Sequence, residues 1–271
     1  MSDHPMRHVM LESLMILLFE LIGTAMLTML FIAVTPNAIP GVGSLGAVGL
    51  GMFIGFFILL ILSARISGSH YNPIVTLAFM LRKDAGQFNK WLGILYMLFQ
   101  LGGALIGTIA AFYLFSIGNG TRNFLSVRHF AVQAMVAEIL GSFVLVLMYL
   151  TQTEERYKLS NDAAITLLMI SASYTVGMAL QVGTGANWSQ SPLNPAIALA
   201  EISFATFNGE APNMSFAWIY LVFSWIGSLL AVIMYELGFK RAQDAIGIKE
   251  EREEEAELGE EINMSSQPLM E

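Results

Sequence analysis

Two stretches decide the fold: Ser67-Gly68-Ser69-His70-Tyr71-Asn72-Pro73-Ile74-Val75-Thr76 and Ser189-Gln190-Ser191-Pro192-Leu193-Asn194-Pro195-Ala196. In each, an Asn stands where a helix N-cap belongs and a Pro occupies the first helical position, where its missing N–H costs nothing. Short apolar runs follow at residues 74–80 and 196–199, so the pattern predicts helices over 73–81 and 195–203. At about 1.5 Å per residue neither can cross roughly 30 Å of hydrocarbon. Both are expected to enter half-way and stop. The polar backbone before each Asn survives at that depth only against protein or along a water-filled cavity. Ser191, placed before Pro192, is pushed toward extended geometry, which turns its carbonyl sideways into a lumen.

Working outward, six apolar stretches are long enough to be transmembrane helices: residues 14–34, 44–62, 91–115, 131–150, 163–182 and 216–239. Of the 271 residues, 55% are hydrophobic and 13% charged, and the mean hydropathy is +0.63, a balance no water-soluble surface carries. Inside the six stretches the charges are Glu20, Glu138 and Glu236. The chain contains no cysteine, which excludes disulfides and thiol or cysteine-metal chemistry. No basic footprint supports nucleic-acid binding. The first 13 residues lack the pattern of a cleaved secretory signal, so the chain is expected to stay whole.

Six spans put both termini on one side. That side receives Arg7, Arg65, Arg82, Lys83, Lys90, Arg156, Lys158, Lys240, Arg241, Lys249 and Arg252, leaving Arg122 and Arg128 opposite. The bias predicts cytoplasmic termini. The formal charge of −8 resides mainly in the tail, because residues 240–271 hold ten acidic and four basic side chains, a sum of −6. Residues 241–271 therefore read as an acidic, solvated, disordered cytoplasmic tail, and 1–13 as a short cytoplasmic N-terminus.

The body, 14–240, repeats itself. Glu20-Leu-Ile-Gly-Thr in the first span matches Glu138-Ile-Leu-Gly-Ser in the fourth, and Asn72 follows Glu20 by 52 residues as Asn194 follows Glu138 by 56. The halves divide at about 14–126 and 127–240. Three spans per half is an odd number, so the second half enters from the opposite face. An inverted repeat of this kind places its functional site near the midplane where the halves meet.

These residues resemble the aquaporins of the major intrinsic protein family. The likeness rests on 67–76 against the first Asn-Pro-Ala box, Asn194-Pro195-Ala196 against the second, Glu20, Glu138, Gln100 with Gly103, and Trp218-Ile-Tyr220, and it covers about residues 12–240. It implies an all-α membrane protein, a six-transmembrane-helix bundle with two re-entrant half-helices, one pore per subunit and a homotetramer. It also implies that Asn72 and Asn194 offer N–H donors to a permeating molecule, that His70 and the loop carbonyls form an acceptor ladder, and that Glu20 and Glu138 hold the re-entrant loops. Counting from the two Asn residues, the narrow filter falls at Met52, Val182, Ser191 and Ile197.

Physics gives the same picture independently. Two half-helix N-termini meeting at mid-membrane concentrate about half an elementary charge each and repel cations, whereas a neutral hydroxyl-bearing molecule exchanges hydrogen bonds with Asn72, Asn194 and the carbonyls. Passive conduction follows, with the lipid bilayer and water or small neutral solutes as partners and no cofactor, metal or catalytic nucleophile. Four features depart from the family pattern, one being that the proline usual in the sixth span is absent from Phe223-Ser224-Trp225. Ile197 stands where water-selective members place Arg, Ala198 where glycerol-conducting members place Asp, and Ile74 closes the first box in place of Ala. The filter is accordingly nearly apolar. Three readings stay open: a channel, a non-conducting aquaporin-shaped structural subunit of a membrane assembly, and an ion-coupled transporter, the last disfavoured by the scarcity of intramembrane charge.

Overall fold

A computed structural model describes residues 5–34, 45–83, 88–115, 131–180, 191–208 and 217–247, with side chains from 11 onward in the first helix and from 49 onward in the second. Among the described residues eight α-helices follow in order: α1 (Pro5–Val34), α2 (Leu45–Ser63), α3 (Pro73–Leu81), α4 (Lys90–Phe115), α5 (Ala131–Thr153), α6 (Ala163–Ala179), α7 (Pro195–Phe207) and α8 (Trp218–Met234). A π turn at Tyr235–Phe239 carries α8 on into helical residues up to 247. Val182 and residues 248–271 of the tail lie outside the described residues.

Backbone satisfaction explains why the elements among the described residues are all helices, since hydrocarbon offers no partner for a stray N–H or C=O. The segments Leu11–Val34, Lys90–Phe115, Ala131–Thr153 and Trp218–Gly247 are long and apolar enough to cross a membrane. With 19 and 17 residues, α2 and α6 rise about 28 and 26 Å. The six expected spans thus appear as four long helices and two shorter ones. Buried hydroxyls inside α1 fold back on the helix, Thr24 Oγ1 donating to the Glu20 carbonyl at 2.7 Å and Thr28 Oγ1 to the Thr24 carbonyl at 2.8 Å. Outward-facing Ile22, Met26, Ile54, Ile58, Leu98 and Ile106 are exposed, as a hydrocarbon-facing surface requires.

The half-helices differ in length. Pro73–Leu81 forms as the sequence predicts, but α7 runs four residues past the expected end at 203, because 204–207 contain no breaker and the chain turns only at Asn208, whose N–H caps onto the Phe204 carbonyl.

Packing repeats with the sequence. In the first half α1 packs on α4 and α2, and in the second α5 packs on α8 and α6; α3 then lies against α8 and α4, and α7 against α4 and α8. Matched glycines make the closest crossings. A Cβ on Gly103 of α4 would overlap the Leu21 carbonyl of α1, and one on Gly227 of α8 would overlap the Ile139 carbonyl of α5, so backbone meets backbone at equivalent points of the two halves. At one end of the bundle Glu236 accepts the Lys83 N–H at 2.9 Å and pairs with Lys240 at 3.1 Å, while Asp244 accepts from Tyr157 at 2.8 Å and pairs with Arg156 at 3.1 Å.

Candidate functional site

The two Asn-Pro boxes build one site between them. Asn72 and Asn194 are extended, with φ −152° and −151°, and each side-chain oxygen caps its own helix. Asn72 Oδ1 accepts from the Ile74 N–H at 3.2 Å, and Asn194 Oδ1 from Ala196 at 3.0 Å and Ile197 at 3.4 Å. Their amide nitrogens cross over. Asn72 Nδ2 donates to the Leu193 carbonyl at 2.8 Å, and Asn194 Nδ2 donates to the Tyr71 carbonyl at 2.8 Å. An amide nitrogen carries two N–H donors, so each Asn keeps one beyond this bond.

The carbonyls are aimed by strained backbone. Tyr71 and Leu193, each immediately before its Asn, sit in the left-handed region at φ 50° and 45°. Such a conformation costs a non-glycine residue about 1–3 kcal/mol and persists only where surroundings over-determine it. Here the surroundings are specific: the Tyr71 ring fills the space over Gly23 of α1, and Leu193 fills that over Gly141 of α5.

Beneath the first box, a carboxylate gathers the loop. Glu20, fully buried, accepts from Ser67 Oγ at 2.6 Å and the His70 N–H at 3.0 Å through Oε1, and from the Tyr71 N–H at 2.7 Å and Gln100 Nε2 at 2.8 Å through Oε2. Beneath the second box, Glu138 Oε2 accepts from Ser191 Oγ. Three buried tyrosines reach in from the spans: Tyr96 donates to the Ser67 carbonyl, Tyr149 to that of Ser69 and Tyr174 to that of Pro192, at 2.9, 2.8 and 2.7 Å. Ser63 of α2 bonds to Ser67, Ser69 and the Tyr71 hydroxyl.

A family model described as "Major intrinsic protein" matches residues 2–235. The chain belongs to the major intrinsic protein family. Among its relatives is "Probable aquaporin PIP2-8" of Oryza sativa subsp. japonica, 30% identical over 211 residues that make up 72% of this chain and 70% of that one. Another is "Aquaporin PIP2-7" of Musa acuminata, 28% identical over 237 residues, 80% and 79% of the two chains. In three dimensions the chain is similar to the aquaglyceroporin from Plasmodium falciparum, with a TM-score of 0.68 at 20% identity, covering 86% of this chain and 99% of that one. The fold is that of the aquaporin-like helical bundle, and the protein is a membrane channel of this family for water or small solutes.

Within this major intrinsic protein the residues expected at the filter, along the pore and in the first box are buried wherever they are described. Met52 and Ile197 are wholly buried and belong to one apolar cluster. Ser191 is buried, its hydroxyl turned to Glu138. His70, 3% exposed, places Nδ1 3.2 Å from Thr76 Oγ1 and packs its ring on Phe79, Phe88 and Tyr96 at 4.4, 5.3 and 5.3 Å. Ile74, fully buried, passes its carbonyl to Ser228 Oγ at 2.7 Å. Of the loop carbonyls expected to form a ladder, those of Ser67, Ser69, Tyr71, Pro192 and Leu193 already hold a protein donor; among the described residues none reaches those of Gly68 and His70.

Several residues escaped the sequence reading. Phe56 of α2 and Tyr174 of α6 face each other at 4.9 Å, one turn along from Met52; both are ordinary span residues by composition. Phe79 bridges His70 to Arg82, whose guanidinium lies 4.8 Å from the Phe79 ring. Glu201 of α7 is a third buried carboxylate, beside Glu20 and Glu138. Its place seven residues past Asn194, two turns along the half-helix and outside the six spans, is the signal in the sequence.

Proposed function

We propose that this chain passes small neutral solutes and water along a single path between its halves, lined by His70, Asn72 and Asn194 and narrowed at Met52, Val182, Ser191 and Ile197. The observation that carries the reading is the reciprocal pair of Asn-to-carbonyl bonds at 2.8 Å, which brings two half-helix N-termini to one point. There the helix dipoles oppose cations, and the second N–H of each Asn is available to a hydroxyl or carbonyl oxygen in transit. Glu20 and Glu138 act as loop supports in this scheme. Isoleucine at 197 brings no fixed charge, so the filter admits small solutes with apolar parts, such as urea-like, ammonia-like and short polyol molecules, more readily than an arginine filter does. A homotetramer with cytoplasmic termini, repeats at about 14–126 and 127–240 and an acidic cytoplasmic tail complete the proposal.

Stopped-flow shrinkage of proteoliposomes tests it directly. Liposomes holding the protein are expected to lose water, and to refill with urea or glycerol, faster than empty ones. Rates equal to those of empty liposomes, with the protein folded and inserted, refute conduction.

A further inference from the structure

Glu201 lies four residues past Ile197 and seven past Asn194, one and two turns along the same face of α7. It is 4% exposed, and its Oε1 is buried with no hydrogen-bond partner. Tyr174 and Tyr220 stand within electrostatic range of its carboxylate, and the Tyr220 hydroxyl is likewise buried and unpartnered. Among the described residues the first half has no carboxylate at the equivalent place. In the register of Asn72 and Asn194, the counterpart of Glu201 is Phe79, packed on His70. In the register of Gly103 and Gly227, the counterpart of Tyr220 is Tyr96, whose hydroxyl is engaged by the Ser67 carbonyl. The second half has therefore exchanged an aromatic ring for a carboxylate and left two polar groups unanswered in one region.

A carboxylate held out of water without donors is penalised by several kcal/mol, so the site calls for a group that supplies N–H bonds and positive charge. The chain brings none from one turn back, where Ile197 replaces the family's guanidinium. We propose that Glu201, flanked by Tyr174 and Tyr220, binds a small organic cation bearing N–H donors, of the guanidinium class, at the α7 end of the conduction path. Its N–H groups meet the carboxylate in charge-assisted bonds, and its face lies against tyrosine rings. The cation goes no further, because the half-helix N-termini ahead of it are positive. Bound there, it obstructs solute flow; this consequence, unlike the binding itself, rests on the channel reading.

Guanidinium at low millimolar concentration, with sodium chloride as the ionic-strength control, is the probe. Calorimetry on the purified full-length protein in detergent is expected to show saturable guanidinium binding that sodium does not reproduce. Glu201→Gln, which keeps the side-chain volume, should weaken it at least about tenfold, and Glu201→Asp, which withdraws the carboxylate by one methylene, at least about threefold. In proteoliposomes the same concentrations should slow urea entry through the wild type and not through Glu201→Gln. Wild-type binding no stronger than that of sodium overturns the site, as does equal binding by wild type and either folded variant. Binding that depends on Glu201 in a protein that moves no solute even without guanidinium upholds the site and refutes the channel reading instead.

Discussion

Replacing Glu20 by Gln changes one atom and should unlatch the first re-entrant loop. The wild-type carboxylate offers acceptors only, and four donors converge on it: Ser67 Oγ and the His70 N–H on Oε1, the Tyr71 N–H and Gln100 Nε2 on Oε2. Glutamine keeps one acceptor and makes the other a donor. Should the new NH2 group occupy the Oε1 place, Ser67 can reverse and accept, but the His70 N–H loses its partner. In the Oε2 place, Gln100 can turn its buried, unpartnered Oε1 toward it, yet the Tyr71 N–H is stranded. Both orientations orphan one buried backbone donor, at about 1–3 kcal/mol, and remove charge assistance from the rest, at roughly 1 kcal/mol more. A loss of about 2–4 kcal/mol, at roughly 2–4 °C per kcal/mol for a chain of this size, lowers the melting temperature by about 4–16 °C. Glu20→Leu strands both N–H groups and should fall about twice as far. Thermal denaturation of the purified protein followed by tryptophan fluorescence measures both variants, and liposome shrinkage reports the loop. A Glu20→Gln protein melting within about 1 °C of wild type and conducting normally would refute the reasoning.

Other perturbations separate the remaining claims. Ile197→Arg puts a permanent charge and five donors into a fully buried apolar position; urea and glycerol entry should drop several-fold while the water-to-solute ratio holds or rises, and unchanged solute entry would place the path elsewhere. Gly103→Ala drives a methyl into the Leu21 carbonyl, whereas at Gly102 the nearest atom to an added Cβ is Leu21 Cδ1 at 3.9 Å. The first should cost about 1–3 kcal/mol and reduce the yield of monodisperse protein, the second almost nothing; equal melting temperatures would remove the close crossing of α1 and α4 from the account.

Much of this molecule is readable from its chain because a few residue types carry rigid local consequences. Asn-Pro forces a helix start at 72–73 and 194–195, and an apolar run marks a span, so most helices emerge within a few residues of their expected ends; α1 instead starts at Pro5, ahead of the expected 14, and the last helix runs to Gly247, into the stretch 241–271 read as a disordered tail. Where the reading slipped, the deciding fact was tertiary. The four residues after Ser203, Phe-Ala-Thr-Phe, read equally well as loop or as a last helical turn, and only packing of Phe204 on Phe112, at 4.8 Å, shows which they form. The crossed bonds of Asn72 and Asn194 were not foreseen either: a cap is a local property, whereas a donor reaching Leu193 depends on how two distant loops are turned. The same is true of Tyr96, Tyr149 and Tyr174, which look like span residues until their hydroxyls are found on loop carbonyls.

The crossed asparagines also set a timetable for biosynthesis. Asn72 bonds to a carbonyl 121 residues further along the chain, and the Tyr71 carbonyl waits for a donor 123 residues away. At roughly 5–20 residues per second, a ribosome needs about 6–24 s to make the missing partner. During that interval α4 is completed, while the Tyr71 carbonyl has no Asn194 donor and the Asn72 half-helix has no opposing helix end to meet. A nascent chain stopped after α4 is therefore an open half-site facing lipid or the insertion machinery, and it becomes a finished pore wall only when the ribosome has passed Asn194.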